Sequence, residues 1–310
     1  MVSMRLMLPL TSTPTYRGRF APSPTGPLHF GSLVAALGSC LEARSHGGEW
    51  LLRIEDVDVP RCPRAMADDI LRTLAACGFA WDGEVLWQSR RQERYRELLE
   101  QLRDAGRVYP CACTRRELAD SQLAPDGAHV YPGTCRDGLP PGRPARAWRL
   151  RIDDLTIAFD DALQGRVEQR LASDVGDFVL LRADGYFAYQ LAVVADDADQ
   201  GITHIVRGAD LLDSTARQIF LQRCLGVPTP AYAHLPVVVN AQGEKLSKQT
   251  LAPAIDTVTP APTLCAALHF LGQSPPAELE RAPVAELWTW AQAHWDMARV
   301  PRRRTLPYLL

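Results

Sequence analysis

A proline-rich turn followed by a helix start carries the first residues suited to chemistry. His29, Gly31 and Ser32 stand after this turn, and the apolar residues beyond them recur with helical spacing (Leu33, Ala36, Leu37, Cys40 and Leu41). The free N–H groups and the dipole of a helix N-terminus attract anions. Because glycine has no side chain, a flat ring can lie against the backbone there. The segment predicts a site for a nucleotide and its phosphates.

Two lysines far along the chain suit the same ligand. Lys245 and Lys248 belong to the sequence Lys-Leu-Ser-Lys-Gln, which follows a strand-like run and Gly243. Ammonium groups on such a loop can close over a triphosphate and neutralise the charge that develops on leaving pyrophosphate. A solvated surface loop is the alternative interpretation.

Two charged residues end predicted buried strands. Glu55 comes directly after the apolar run 49–54, and Arg207 ends the run 202–207. Open α/β sheets bind their ligands at the carboxyl ends of the strands. A guanidinium there can hold a carboxylate through two hydrogen bonds, and a carboxylate can hold an ammonium group. A capped loop exit for Glu55 and a surface ion pair for Arg207 are the alternatives.

Three of the eight cysteines form a pattern typical of a metal site. Cys111, Cys113 and Cys135 lie in residues 111–147, which have few periodic apolar positions and cannot close a core alone. Three thiolates and one further ligand make a tetrahedral zinc site, and ligand chemistry suggests His129 as the fourth. Loop cysteines without metal are the alternative. The other five cysteines fall singly in helical patterns, as buried thiols of a reducing cytosol do.

The elements that position these residues alternate along the chain. Strands 49–54 and 85–89 and helices 65–77 and 92–105 predict a β-α-β-α-β-α unit, with Gly78 and Gly106 as helix stops. Residues 147–181 alternate like strands, and Asp184-Gly185 predicts a hairpin turn. A second α/β part follows: a helix from Tyr189, strand 202–207, helix 214–225 and strand 234–239. Helices are predicted at 264–271 and 284–294.

The composition is that of an ordinary soluble globular protein. The 310 residues allow about two domains, with 46% hydrophobic and 23% charged residues. With a net charge of −2, any RNA contact must come from local basic patches. No run approaches the roughly 20 apolar residues of a membrane span. We expect a cytoplasmic protein without a membrane contact, and a disordered extension over residues 1–15.

Four motifs, taken together, resemble the class I glutamyl-tRNA synthetases. Residues 19–31 (Arg-Phe-Ala-Pro-Ser-Pro-Thr-Gly-Pro-Leu-His-Phe-Gly) resemble the opening motif of the glutamyl and glutaminyl enzymes, and His-Phe-Gly-Ser resembles His-Ile-Gly-His. Further motifs of the glutamyl enzymes match residues 52–61 (Leu-Arg-Ile-Glu-Asp-x-Asp-x-x-Arg) and residues 201–210 (Gly-Ile-Thr-His-x-x-Arg-Gly-x-Asp). Residues 245–249 resemble Lys-Met-Ser-Lys-Ser, with Leu and Gln substituted. We have no account of Gln249.

One departure from the ordinary glutamyl enzymes and one further match favour the glutamyl-Q tRNA(Asp) synthetase family. Residues 207–212 read Arg-Gly-Ala-Asp-Leu-Leu, where glutamyl synthetases read Arg-Gly-Glu-Asp-His-Leu. Tyr131-Pro-Gly-Thr-Cys135 matches the family's Cys-x-Cys…Tyr-x3-Cys pattern. The resemblance therefore implies Tyr131, with Cys111, Cys113 and Cys135, as the zinc ligands, and His129 as runner-up.

The resemblance implies an α/β fold: a Rossmann-like, doubly wound parallel sheet with an inserted zinc-containing α+β acceptor-binding domain and a short helical C-terminal region. The implied limits are 16–107 and 189–255 for the catalytic halves, 108–188 for the insertion and 256–310 for the helical region.

The resemblance also implies the roles of the site residues. His29, Gly31, Ser32 and Lys248 would bind ATP with Mg²⁺, and the catalytic set would be His29, Ser32, Lys245 and Lys248. L-glutamate would be held by Arg19, Ala21, Ser23, Glu55, Tyr189 and Arg207. Arg19, Tyr189 and Arg207 would contact its side-chain carboxylate, and Ser23 and Glu55 its amino group.

The implied reaction is activation of glutamate without tRNA, then transfer to the queuosine of tRNA(Asp), by a monomer. The residues after Lys248 are fewer than the roughly 100 of a further domain, so we expect no anticodon-binding domain. Three alternatives stay open: a truncated ordinary glutamyl-tRNA synthetase charging the 3′ end of tRNA(Glu), a nucleotidyltransferase, and a zinc-containing, non-catalytic RNA-binding module.

Overall fold

The computed structural model describes residues 15–119, 121–123, 127, 129–245 and 254–308. Residues 1–14 of the predicted extension lie outside these residues, and so does Lys248. The first part of the chain forms the expected alternation of strands and helices: β1 Arg17–Phe20, α1 Phe30–Ser45, β2 Glu49–Ile54, α2 Arg64–Ala76, β3 Leu86–Trp87 and α3 Gln92–Asp104. Strand β3 is shorter than predicted because residues 88–90 turn into a 3₁₀ helix. Gly78 (φ 78°) and Gly106 (φ 68°) follow α2 and α3 in the left-handed region that ends helices.

The second α/β part joins the first at strand β1. It contains α5 Tyr189–Asp199, β9 His204–Gly208, α6 Thr215–Leu225, β10 Ala231–Leu235 and β11 Val237–Val239. The Thr203 N–H donates to the Arg17 carbonyl at 3.0 Å, so β9 begins beside β1. Strands β1, β2 and β3 are parallel, as are β9 and β10. The prediction of a parallel sheet is confirmed, and β1 and β9 lie where its two halves meet.

The intervening segment is only partly separate from this sheet. Strands β4 Val108–Cys111, β5 Ala147–Leu150 and β8 Phe178–Leu181 form an antiparallel sheet. The hairpin of β6 Thr156–Asp161 and β7 Gly165–Arg170 instead reaches the second α/β part, where Asp161 pairs with Tyr232 of β10. A short helix, α4 Leu171–Asp174, follows. The segment 108–188 therefore contributes to two sheets, and its limits as a domain stay a prediction.

The predicted turn at Asp184-Gly185 is present. The Arg182 N–H donates to the Tyr186 carbonyl across it at 2.9 Å. The helix predicted from Tyr189 is confirmed, since α5 begins at that residue.

The C-terminal part adds two helices and one unexpected strand. Helix α7 Pro260–Phe270 starts four residues before the predicted bound, and α8 Val284–His294 matches its prediction. Strand β12 Thr305–Pro307 pairs in parallel with β11 and was not predicted.

Two apolar clusters cover the sheet. One joins buried residues of α1, α2, α7 and α8 around Trp50, and the other joins α3, α5 and α6 around Tyr95. Helices on both sides leave the strand ends as the open edge where a ligand can enter. Within the described part of the chain, no helix is long and apolar enough to cross a membrane.

Candidate active site and cysteine cluster

The turn between β1 and α1 places His29 at the helix start. His29 is the N-cap of α1, and its Nδ1 accepts a hydrogen bond from the Ser32 N–H at 3.3 Å. Its Nε2 lies 3.2 Å from Ser32 Oγ. The Glu55 N–H donates to the Pro22 carbonyl at 3.0 Å, so the turn is fixed to the end of β2.

Gly31 cannot be replaced by a larger residue without crowding this helix start. A Cβ at Gly31 would lie 3.3 Å from two atoms of the His29 imidazole and 3.7 Å from Val238 Cγ2. The missing side chain leaves a shallow surface beside the imidazole, which suits a flat ligand.

A cavity of about 990 Å³ opens at the carboxyl ends of β1, β2, β9 and β10. Ten of the predicted site residues line it: Arg19, Ala21, Ser23, His29, Gly31, Ser32, Glu55, Tyr189, Arg207 and Lys245. A cavity of this size accommodates a nucleotide together with a small second ligand.

A chain of alternating charges supports one wall of the cavity. Arg19 donates through Nε and Nη2 to the two carboxylate oxygens of Asp197, at 3.0 and 3.2 Å. Arg53 Nη1 donates to Asp197 at 2.8 Å, and Arg53 Nη2 donates to Glu55 at 3.1 Å. All four side chains are buried. Because each charge faces an opposite one, Arg19 and Glu55 are held at the cavity wall in fixed orientations.

The two carboxylates in this series of charges, Glu55 and Asp197, have pKa values shifted in opposite directions. Burial raises the pKa of Glu55 above its ordinary value, and Arg53 and Arg19 offset this only in part. Burial also opposes ionisation of Asp197, but Arg19 and Arg53 outweigh it and lower the pKa of Asp197.

The other acidic residues after β2 have structural roles. Asp56 accepts hydrogen bonds from the Ser89 N–H at 2.8 Å and the Ser89 hydroxyl at 2.7 Å, which joins the ends of β2 and β3. Asp58 pairs with Arg61 and with Arg182. Of these acidic residues, Glu55 alone lines the cavity.

Arg207 also lines the cavity and belongs to a buried polar cluster. Its Nε donates to His234 Nε2 at 3.0 Å, and its Nη2 donates to Thr215 Oγ1 at 2.9 Å. Its Nη1 is buried and has no hydrogen-bond partner among the residues that the structure describes. Since an unpaired buried donor is costly, this atom is suited to an incoming anion.

Lys245 lies at the cavity rim, where its Nζ is 2.6 Å from Asp210 Oδ2. Lys245 and Lys248 are the only lysines in the sequence.

The three predicted cysteines come together. The Sγ atoms of Cys111, Cys113 and Cys135 all lie within 4.8 Å of one another, and those of Cys113 and Cys135 are 3.7 Å apart. The Tyr131 hydroxyl is 3.4 Å from Cys111 Sγ and 3.5 Å from Cys113 Sγ. These four side chains can surround one ion.

His129 lies outside this cluster: it is exposed, and its Nδ1 is 3.4 Å from the Ser121 carbonyl. Arg149 lies beside the cluster, donates to Cys111 Sγ at 3.3 Å and stacks on the Tyr131 ring at 3.9 Å. Arg149 therefore contacts two of the four side chains that can surround an ion.

The cavity combines two kinds of binding surface. One end offers two buried guanidiniums and a carboxylate, which suits a small molecule with a carboxylate and an ammonium group. The other end offers a helix N-terminus with an imidazole, which suits phosphates. The supporting residues Asp197, Arg53, His234 and Asp161 were missed by sequence reasoning. A lone His within the strand 234–239 was the available signal for His234, since a buried His needs partners.

Comparison with known proteins gives consistent matches. The family described as "tRNA synthetases class I (E and Q), catalytic domain" matches residues 15–261. A protein of Aromatoleum aromaticum named "Glutamyl-Q tRNA(Asp) synthetase" is 64% identical over 94% of this chain and 92% of its own length. A protein of Dechloromonas aromatica with the same name is also 64% identical, over 93% of this chain and 96% of its own length.

Solved structures agree with these relatives. The glutamate-tRNA synthetase of Elizabethkingia anophelis has a TM-score of 0.77 at 26% identity, covering 95% of this chain and 68% of that one. A glutamate tRNA ligase of Elizabethkingia meningosepticum, solved in complex with its amino acid, has a TM-score of 0.78 at 25% identity, covering 95% of this chain and 67% of that one.

Proposed function

The chain belongs to the class I tRNA synthetases for glutamate and glutamine, and we propose that it catalyses the reaction for which its curated relatives are named. It activates L-glutamate with ATP in the absence of tRNA, and it transfers the glutamyl group to the queuosine of tRNA(Asp). The observation that carries this proposal is one cavity that joins Arg19, Arg207 and Glu55 with the helix start at His29.

Glutamate binds between the two guanidiniums and Glu55. Arg19, Arg207 and Tyr189 hold its side-chain carboxylate, and the unpaired Nη1 of Arg207 supports this assignment. Glu55 and Ser23 hold the ammonium group, with Ala21 beside them in the lining. An amino acid without a side-chain acceptor at this position leaves a buried arginine donor unpaired, which disfavours its binding.

ATP binds at the start of α1. Gly31 leaves room for the base, and His29 and Ser32 face the phosphates with the free N–H groups of the helix. The α-carboxylate of glutamate attacks the α-phosphorus, and the bond to the bridging oxygen breaks with release of pyrophosphate. Lys248, with Lys245 in support, stabilises the charge on the leaving group. Mg²⁺ bound with ATP would neutralise further phosphate charge. The protein contributes mainly orientation and charge stabilisation.

Cys111, Cys113, Cys135 and Tyr131 hold one structural zinc ion in this proposal. Sulfurs about 2.3 Å from a tetrahedral ion stand ~3.8 Å apart, which agrees with the 3.7 Å between Cys113 and Cys135. Among the residues that the structure describes, the apolar cluster around them contains five buried members: Tyr109, Cys111, Ala112, Tyr131 and Cys135. A metal would therefore supply stability that packing does not. Tyr131 is preferred to His129 as the fourth ligand, because its hydroxyl lies at the sulfurs and His129 lies outside the cluster.

In the second step, a queuosine hydroxyl attacks the carbonyl of glutamyl-adenylate and AMP leaves. The names of the curated relatives support queuosine of tRNA(Asp) as the acceptor. A single loop with unstacked bases can enter a cavity of this kind. The action of a monomer in the cytoplasm, where ATP, glutamate and tRNA occur together, is part of the proposal.

Exchange of labelled pyrophosphate into ATP tests the activation step. We expect exchange with L-glutamate and without tRNA, and background exchange with each of the other amino acids. Arg207→Ala should weaken glutamate capture, while Arg223→Ala, an exposed arginine on α6, should not. No exchange without tRNA, or equal exchange with aspartate or glutamine, would contradict the proposal.

A further inference from the structure

Three side chains from three strands form a buried series that ends at the cavity. Asp161 Oδ2, on β6, lies 2.6 Å from His234 Nδ1, on β10. His234 Nε2 accepts from Arg207 Nε, on β9, at 3.0 Å. The exposed fractions are 4% for Asp161, 0% for His234 and 5% for Arg207. Asp161 and His234 do not line the cavity.

The hydrogen bonds fix the tautomer of His234. Asp161 Oδ1 accepts three backbone N–H groups, those of Leu163, Gln164 and His234 at 3.0, 2.9 and 3.1 Å. Asp161 Oδ2 remains for the imidazole, so Nδ1 carries a proton and donates it to the carboxylate. Nε2 must then accept, because Arg207 Nε–H is a donor without any acceptor capacity.

The charge state of the His234 imidazole is consistent with this arrangement. Burial lowers the pKa of His234 to about 4, with the hydrogen bond to Asp161 acting against burial and the Arg207 charge adding to it. The ring is therefore neutral near pH 7. Thr215 Oγ1 is 3.2 Å from the same Nε2 and accepts from Arg207 Nη2 at 2.9 Å. The Leu211 carbonyl also accepts from Nη2 at 3.3 Å, so three polar groups hold one edge of the guanidinium.

We propose that Asp161 and His234 are positioning residues that orient the Arg207 guanidinium, so that Nη1 faces the carboxylate of the substrate. This inference rests on the proposed function, since it takes glutamate as the ligand of Arg207. It assigns a role in amino-acid recognition to the β6–β7 hairpin, which lies in the segment 108–188 that the resemblance implies to be acceptor-binding.

Asp161→Asn tests the proposal because it changes the protons and keeps the shape. The single amide oxygen stays with the backbone N–H groups, so the amide NH₂ faces the ring. His234 must then accept at Nδ1 and carry its proton on Nε2. That Nε2–H faces the Arg207 Nε–H, so two donors meet and the hydrogen bond to Arg207 is lost. We expect the KM for glutamate to rise about tenfold or more, as the loss of a hydrogen bond to a charged group predicts. The KM for ATP should change less than about twofold.

Two further variants separate positioning from general damage. His234→Gln keeps an acceptor near the place of Nε2 and should retain a glutamate KM within about threefold of wild type, whereas His234→Leu should behave like Asp161→Asn. In the His234→Gln background, Asp161→Asn should have little further effect, because no ring remains to change tautomer. Asp160→Asn, an exposed neighbour on β6, is the matched control.

¹⁵N NMR of histidine-labelled protein provides a readout independent of activity. His234, assigned by the loss of its signals in His234→Gln, should be the Nδ1–H tautomer in wild type and the Nε2–H tautomer in Asp161→Asn. If wild type exchanges pyrophosphate with glutamate but Asp161→Asn keeps its glutamate KM or its tautomer, the inference is wrong and the proposed function stands. If wild type shows no glutamate-dependent exchange, both fall.

Discussion

Asp197 and Arg19 form a buried, two-bonded ion pair, and the same carboxylate also accepts from Arg53. Asp197 lies on α5 and the two arginines on β1 and β2, so one side chain joins the two α/β parts beside Arg19, which lines the cavity. The pair therefore serves two purposes: it stabilises the junction, and it orients the guanidinium that we propose to bind glutamate.

Asp197→Asn should damage both stability and substrate capture. Removing one partner of a buried ion pair leaves uncompensated charge and typically costs about 3–5 kcal/mol. We expect a lower unfolding midpoint in urea and, in the folded fraction, a glutamate KM raised about tenfold or more. Asp68→Asn, which removes an exposed pair with Arg64, should change neither. Unchanged stability and KM in Asp197→Asn would refute this role.

The raised pKa of Glu55 predicts an acid limb in glutamate capture. Below its pKa, Glu55 is protonated and neutral and no longer attracts an ammonium group. Because burial raises this pKa above the ordinary 4.5, kcat/KM for glutamate should fall as the pH decreases, starting above the range where an ordinary glutamate titrates. Glu55→Gln should show low kcat/KM throughout and no such limb. The same limb in Glu55→Gln would assign it to another group.

The cysteine cluster predicts a metal requirement outside the cavity. Freshly prepared protein should carry about one zinc per chain, and Cys113→Ser should lose it. Transfer to RNA should suffer more than glutamate-dependent exchange, because the cluster is not part of the cavity lining. Cys224→Ser, at a half-buried cysteine outside the cluster, should keep its metal. Zinc-free wild type from an unchelated preparation would overturn the assignment.

Lys248→Ala should lower the adenylation rate by ~10²-fold or more, as loss of a donor to transition-state charge does in other enzymes. Lys245→Ala should have a smaller effect.

Because the sequence has no other lysine, periodate-oxidised ATP can form a Schiff base at only these two side chains or at the N-terminus. Labelling should map to residues 245–248 and be blocked by ATP. Near-normal exchange in Lys248→Ala would remove the loop from the mechanism.

Local sequence patterns were sufficient to predict most of the strands and helices of the two α/β parts. The apolar run of β2 and the glycines after α2 and α3 signal their elements within a few residues, and the residues at strand ends line the cavity as the fold rule predicts. Strand β12 was missed because three residues that pair at an edge carry almost no periodic signal.

The residues that orient the cavity side chains were not predictable from local sequence patterns. Asp161 and His234 are 73 positions apart, and Arg19 and Asp197 are 178 apart. Only the sheet order brings these side chains together, and a sequence window contains one member of each pair. Motif resemblance therefore pointed to residues that line the cavity, whereas the residues that orient Arg19 and Arg207 required the structure.

The most direct test of the central claim is the transfer of radiolabelled glutamate to purified tRNAs. The protein, ATP and labelled glutamate are combined in parallel with tRNA(Glu), with queuosine-containing tRNA(Asp), and with tRNA(Asp) from cells unable to make queuosine. We predict stable labelling of the queuosine-containing tRNA(Asp) alone, with the label in the anticodon loop after nuclease digestion. Labelling at the 3′ end of tRNA(Glu), or equal labelling of the queuosine-free tRNA(Asp), would contradict the account.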